Sequence, residues 1–554
     1  MTRRFLYWFA PSLFLLLFFF YPLIRVLLLS FGSDDATLSA LTSLPQFINL
    51  LIFTFYQAGL STLPTLLVGI PIAYLFSHYA FRGKPLLRAL TAVPFMLPTV
   101  VVAAGFTALL GPRGWVNLAL MGAFDLTTPP ITFVGTLTAI LIAHVFYNST
   151  IVIRLVGNSW SQLDPRLGHA ARVLGAGSTT VLREISLPLL RPSLMAATLL
   201  VFLFDFTSFG VVLLLGGAQF RTLEVEIFIQ AVRFLNLPAA ALLSMIQLLF
   251  TLFFSIIYSR VVTKSIVPLN PRAAALNLRP ARTLREKIFV ISATTFILIL
   301  FALPMAALPA RSVVRLEPDR GERGEFQPTL TLNNYRELAV NRRGSLFYVP
   351  PLEAVRNSLI YATLTVALAL LLGFPAASAL TRPTRLENII DPFLMLPLGA
   401  SAVTLGLGYV LAFNRWLYSP LLVPLAHTTL ALPFVIRSLQ PALASIPNRL
   451  REAAAVLGAT PQQVWRSVDL PIIARALTAA GVFAFTVSLG EFGATAMLVR
   501  PEYPTMTTAI ARFMSQPGGL NYGQAMAMAT ILLVVTTTAI LVIERIRLPG
   551  AGEF

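Results

Sequence analysis

Apolar residues do not alternate along this chain; they come in runs of about twenty, long enough for a helix to cross a bilayer. Roughly twelve such runs lie near 6–30, 50–78, 88–110, 132–157, 192–216, 239–262, 287–309, 357–381, 390–413, 420–438, 475–499 and 522–544. They predict an all-α transmembrane protein. Pro94, Pro98, Pro375 and Pro397 fall inside these runs. In a membrane such breaks are tolerated where neighbouring helices satisfy the freed backbone groups. Arg3-Arg4 ahead of Phe5–Phe31 could suggest a signal peptide. The apolar run is too long for one, and no small-residue cleavage site follows before Asp34-Asp35, so it reads as an uncleaved first span.

The polar positions orient these spans. The N-terminus and alternate loops of the first half hold Arg3, Arg4, Arg82, Lys84, Arg88, Arg154, Arg166, Arg172, Arg183 and Arg191. The loop after span six adds Arg260, Lys264, Arg272, Arg279, Arg282, Arg285 and Lys287, while the opposite side has only Arg25, Arg113, Arg221 and Arg233. The positive-inside rule then places the N-terminus in the cytoplasm of a multi-pass inner-membrane protein. Loop 310–356 disagrees, since Arg311, Arg315, Arg320, Arg323, Arg336, Arg342, Arg343 and Arg356 stand where span parity predicts the outside. Glu317, Asp319, Glu322, Glu325 and Glu337 lower its net charge but not its basic count. Parity is preferred because an internal repeat fixes it independently.

Residues 283 positions apart match without a gap over most of the later spans of each half. His144 pairs with His427, Ile153-Arg154 with Ile436-Arg437, and Arg166-Leu167 with Arg449-Leu450. Ala170-Ala171 pairs with Ala453-Ala454, Leu174-Gly175-Ala176 with Leu457-Gly458-Ala459, Leu187-Pro188 with Leu470-Pro471, and Phe209-Gly210 with Phe492-Gly493. Gly69-Ile70-Pro71-Ile72-Ala73 resembles Gly373-Phe374-Pro375-Ala376-Ala377 at a different offset, so a loop changed length between them. Apolar helices match easily by chance; His, Arg, Gly and Pro at one fixed offset do not. The chain reads as two homologous six-span halves, 1–270 and 271–554. An even number of spans separates matched positions, so the repeat is parallel, with a pseudo-twofold axis along the membrane normal.

The longest repeated segment with polar content is the loop 158–191 and its twin 441–474. Asp164-Pro165 is an N-cap followed by proline at the first helical position. Leu163, Leu167, Ala170, Ala171 and Leu174 then recur at helical spacing, and Gly175 ends the helix as a left-handed cap. A second short helix is expected to stop at Ile185-Ser186-Leu187-Pro188. In the twin, Ile446, Leu450, Ala453, Ala454 and Leu457 form the apolar face, Gly458 closes it, and Thr460-Pro461-Gln462-Gln463 opens the next helix as a capping box. An amphipathic cytoplasmic hairpin suits docking to another protein; an interfacial helix lying on lipid is the alternative. The narrow, alanine-rich face favours docking, because lipid-bound helices carry bulkier side chains.

Glu452-Ala453-Ala454, then Gly458, then Val468-Asp469-Leu470-Pro471 resembles the EAA loop of permeases from binding-protein-dependent ABC importers. His169-Ala170-Ala171, Gly175 and Ile185-Ser186-Leu187-Pro188 have the same spacing, although His169 replaces the glutamate. The resemblance implies a type I ABC importer permease fold in which each loop docks on one of two ATPase copies. The stretches Ala143–Asn148, Phe206–Gly210, Thr222–Glu226 and Ser488–Gly493 resemble the fused two-half permeases for ferric iron or thiamine. An external solute-binding protein is implied as the second partner.

Composition then removes other classes. There is no cysteine and there are only four histidines, which excludes thiol chemistry and argues against a histidine-built metal centre. The net charge of +18 sits in short loops between spans, so lipid headgroups rather than nucleic acid account for it. No G-x-x-x-x-G-K-[ST] occurs, since Gly175–Thr180 lacks the lysine; ATP and magnesium are expected on a partner, with no cofactor in this chain. Asp205 and Glu491 lie within predicted spans and are candidates for the translocation path, as are the symmetric His144 and His427. Hydrogen bonding between helices is the competing role for all four. A twelve-span ion-coupled transporter is the rival architecture, but it gives no reason for twin docking loops.

Overall fold

A computed structural model describes residues 2–32, 44–217, 219–264, 278–315, 329–340, 350–381 and 384–546. The expected boundary at 270/271, Asp34-Asp35, Arg272, and the acidic and basic residues of 316–328 and 341–349 lie outside them. Among the described residues, eleven helices are long and apolar enough to cross a membrane. The count is twelve when Arg385–Gly399 and Ala402–Ala412, bent by 100°, are taken as one span. The protein is thus an all-α transmembrane protein with the span number its apolar runs predict.

Four of the runs are broken helices rather than continuous ones. Span three divides into Lys84–Met96 and Thr99–Leu110, with Leu97-Pro98 extended between them. Span nine breaks at the corresponding place, after a tight turn at Leu396–Gly399 that contains Pro397. Proline has no N–H to donate and disfavours helix in the residue before it, so the break falls where the helix would otherwise lose bonds. Span five, expected at 192–216, is Leu187–Phe206 and then Gly210–Leu215; span eleven, expected at 475–499, is Leu470–Gly490 and then Gly493–Leu498. Polar residues and glycines mark both breaks, Asp205, Thr207, Ser208 and Gly210 in one and Ser488, Gly490, Glu491 and Gly493 in the other, although the apolar run resumes beyond each.

The chain folds into two compact units that do not follow the sequence halves 1–270 and 271–554. Of the described residues, one unit holds those within Met1–Ala40, Ile227–Leu248 and Arg315–Pro549, and the other those within Leu41–Glu226 and Leu249–Val314. Span one therefore packs with the later spans, and span seven (Leu284–Ser312) with the earlier ones. In the first unit Trp8, Phe14, Leu15 and Phe19 join the core built by Tyr361, Leu405, Tyr409 and Leu432. Trp8 Nε1 donates to Glu387 Oε1 at 3.3 Å, and the Phe18 ring lies 5.7 Å from that of Phe413. In the second unit Phe301 sits 5.7 Å from Phe146, and Trp115 Nε1 donates to the Ala307 carbonyl at 3.3 Å.

The two exchanges use one device. A Cβ on Gly408 would lie 3.0 Å from the Pro22 carbonyl oxygen, and a Cβ on Gly105 would lie 2.9 Å from that of Pro304. A glycine in span three or nine thus lets the main chain of span seven or one approach closely. Both entering helices contain a π turn, Leu16–Phe20 and Leu298–Ala302, ending two residues before the proline. The repeat noticed at Gly69 and Gly373 is equally physical. A Cβ there would lie 2.5 Å from Val152 Cβ and 2.7 Å from Val435 Cγ1, so each half needs glycine where span two or eight crosses span four or ten.

Candidate coupling hairpins and buried polar centres

The first hairpin begins at Asp164, whose carboxylate accepts from the Arg166 N–H at 2.9 Å and caps the helix Pro165–Val173. Gly175 ends it with φ +88°, and the Ala176 N–H returns to the Ala171 carbonyl at 3.0 Å. The second hairpin repeats this with helix Asn448–Val456, Gly458 at φ +80°, and an Ala459 N–H bond to Ala454 at 3.0 Å. Its capping box is formed: Thr460 and Gln463 exchange side-chain and backbone bonds. Nothing lies within 4 Å of a Cβ built on either glycine, so φ alone dictates glycine there.

The expected stop at Leu187-Pro188 does not occur. Thr179–Phe206 and Pro461–Gly490 each run on as one helix. Each widens into a π turn, Leu182–Ser186 or Trp465–Asp469, immediately before Leu-Pro. A proline ring clashes with the carbonyl four residues earlier in a regular α-helix, and that residue lies inside the π turn in both copies. The second short helix of each hairpin is therefore rigidly joined to span five or eleven.

The hairpin tips are bare. Val173 and Leu174 are 88% and 87% exposed, and their equivalents Val456 and Leu457 are also 88% and 87% exposed. His169, Ala170, Leu187 and Pro188 are exposed, as are Glu452, Ala453, Leu470 and Pro471, while Ala171 and Ala454 are half-buried. Sequence reading missed one difference: Arg451 Nε donates to Asp469 Oδ1 at 2.7 Å, tying the second hairpin to its span, where the first has Gly168 and Ser186. Gly168 instead lets its helix approach Val181, 3.3 Å from where a Cβ would stand.

The four intramembrane candidates assemble in pairs. In the first half His144 Nδ1 lies 2.9 Å from Ser61 Oγ and 3.3 Å from Asp205 Oδ1, and Nε2 lies 2.8 Å from Ser208 Oγ. Asn148 Nδ2 donates to Asp205 Oδ1 at 2.7 Å, and Gln57 Nε2 donates to the Asp205 carbonyl at 2.7 Å. In the second half His427 Nδ1 is 2.7 Å from Ser488 Oγ; Nε2 is 2.8 Å from Thr495 Oγ1 and 3.3 Å from Glu491 Oε2. Glu491 caps the helix Gly493–Leu498, accepting from the Ala494 and Thr495 N–H groups at 2.8 Å each. All four residues are buried.

At an offset of 283, Asp205 stands opposite Ser488 and Ser208 opposite Glu491, which hides the symmetry. In space each histidine touches both positions of the pair, so acid and serine have traded places three residues apart. Asp205 and Ser488 lie in the last turn of their helices, and Ser208 and Glu491 lie in the breaks that follow. Span two or eight adds a hydroxyl to each centre: Ser61 bonds the histidine, and Thr365 Oγ1 accepts from Ser488 Oγ at 3.3 Å. Each centre stands at the break of span five or eleven.

Residues 369–547 match the family model for the binding-protein-dependent transport system inner membrane component. The chain is 29% identical to the thiamine transport system permease protein of Brucella suis biovar 1 (strain 1330) over 502 residues, 89% of this chain and 86% of that one. It is 26% identical to the protein of that name from Escherichia coli (strain K12) over 510 residues, 90% of this chain and 88% of that one. These matches support a fused two-half ABC importer permease. The long matches run through both hairpins of this chain, so the first half, outside the family-model match, is covered as well. A twelve-span ion-coupled transporter is not favoured. The relatives are permease subunits of multi-pass inner-membrane systems, whose family works with ATPase and binding-protein partners.

Proposed function

We propose that this permease forms the transmembrane passage of a thiamine importer and carries no ATPase site of its own. The long matches to thiamine permeases support the substrate. The observation that carries the mechanism is the pair of bare Val-Leu tips, each set beside a left-handed glycine. Isolated exposed apolar residues are ordinary, but two matched pairs on rigid hairpins are a docking pattern. In this reading each hairpin, from His169 or Glu452 through Gly175 or Gly458 to Pro188 or Pro471, seats in one of two ATPase copies. ATP and magnesium belong to those copies, the N-terminus and hairpins face the cytoplasm, and an external binding protein delivers the solute. Because spans five and eleven continue into the hairpins, closure of the ATPases would tilt them directly. The duplicated halves correspond to 1–270 and 271–554.

For His144, Asp205, His427 and Glu491 the geometry supports holding each broken span together better than lining a passage, because each bonds within its own unit. The experiment is uptake in proteoliposomes containing the permease, its co-purified ATPase and its binding protein. ATP-dependent entry of thiamine, and not of ferric iron, is expected. Co-purification without any ATPase, or uptake driven by an ion gradient alone, overturns the reading.

A further inference from the structure

The two polar centres differ in a way that hydrogen-bond accounting resolves. At Glu491 every carboxylate oxygen is served: Oε1 accepts from the Ala494 N–H, and Oε2 accepts from the Thr495 N–H and hydroxyl, with His427 Nε2 at 3.3 Å. At Asp205 only Oδ1 is served, by Asn148 Nδ2 and with His144 Nδ1 at 3.3 Å. Among the described residues, Asp205 Oδ2 and Gln57 Oε1 are both buried acceptors with no hydrogen-bond partner. Both side chains are fully buried. The two residues are in contact, since the Gln57 amide donates through Nε2 to the Asp205 main-chain carbonyl at 2.7 Å.

We propose that Asp205 is a neutral carboxylic acid whose Oδ2–H donates to Gln57 Oε1, whereas Glu491 is an ionised carboxylate. One added proton turns one orphan acceptor into a donor and gives the other its partner. No other protonation change at this centre does so. Charging His144 would make both ring nitrogens donors, but these point at Ser61, Asp205 Oδ1 and Ser208, and both orphans would remain. The groups facing Asp205 are His144 and Asn148 from span four, Gln57 from span two, and Ser208 beyond the break; His144 is the titratable one among these contacts. Burying an ionised, half-served carboxylate is far less favourable than burying a neutral acid with its bonds made. The first half is then fastened by a proton and the second by a charge. Asp205 is a positioning residue, acting through Gln57 on the break of span five.

Infrared difference spectroscopy on the full-length chain in nanodiscs tests this. Wild type should show the carbonyl band of a buried protonated carboxyl; Asp205→Asn should lose it and Glu491→Gln should keep it. Gln57→Leu removes the acceptor and should move the band to the higher frequency of an unbonded acid, a readout that does not depend on activity. Asp205→Asn, which supplies a neutral donor in place of the acid, should keep uptake within about twofold of wild type, as one neutral hydrogen-bonding group replaces another. A wild-type spectrum without the band, or a band that survives Asp205→Asn, overturns the assignment. So does uptake that requires sodium in wild type and loses that requirement in Asp205→Asn, which would place a metal cation between the two oxygens instead.

Discussion

At the scale of single residues, Gly175 and Gly458 are set by backbone conformation and not by crowding, because open space surrounds both. A non-glycine residue in this region costs about 1–2 kcal/mol, and asparagine tolerates it better than branched residues. Gly458→Val should therefore uncouple ATP hydrolysis from uptake, while Gly458→Asn, bulkier than alanine, should retain most uptake. Parallel assays of hydrolysis and uptake check this; equal loss in the two variants would mean that bulk matters instead. These glycines were legible in sequence because an amphipathic run stops at each and the stop is repeated. The histidine–carboxylate pairs were not. The alignment set each acid against a serine, and only the three-residue exchange between Asp205/Ser208 and Ser488/Glu491 could have shown that both histidines keep an acid.

At the scale of elements, the π turns explain how proline enters helices that continue through it, including the one expected to stop at Pro188. Pro22, Pro188, Pro304 and Pro471 each follow a π turn by two residues, so the extra residue removes the clash that proline makes with the preceding turn. Pro471→Ala removes the reason for that extra residue. If Trp465–Asp469 then closes to an α-helix, everything upstream rotates by about 100° relative to span eleven. The second hairpin would be misaimed with its own fold intact. Uptake should fall strongly while the inserted protein remains at wild-type level, measured by transport and by membrane abundance. Retained uptake would show that the π turn persists without proline. The helix crossings make a separate prediction. Gly408→Leu pushes a side chain into the Pro22 main chain and should destabilise by about 1–3 kcal/mol, seen as a lower melting temperature of the solubilised protein.

At the scale of the molecule, the apolar pattern predicted the span number, and the His, Arg, Gly and Pro positions at one offset pointed to a duplication, yet neither told which spans pack together. Periodicity reports that a helix has an apolar environment; in a bilayer, lipid and protein satisfy it equally, so partner choice is invisible until small residues such as Gly105 and Gly408 are placed. This matters for how the chain can be divided. A fragment 271–554 would lack Trp8, Phe14, Leu15 and Phe19, which complete the core around Tyr409, and a fragment 1–270 would lack the helix that seats Pro304 against Gly105. Neither fragment should accumulate when expressed alone, because each would expose shaped, glycine-lined grooves that lipid fills poorly. Expressed together they should assemble and restore uptake, since the described contacts need the helices and not the peptide bond near 270. Quantitative membrane immunoblots and uptake assays of the three strains decide it. A stable, monodisperse 271–554 fragment would show that span one is an accessory to its unit, and the exchange of first spans would then be ornament rather than construction.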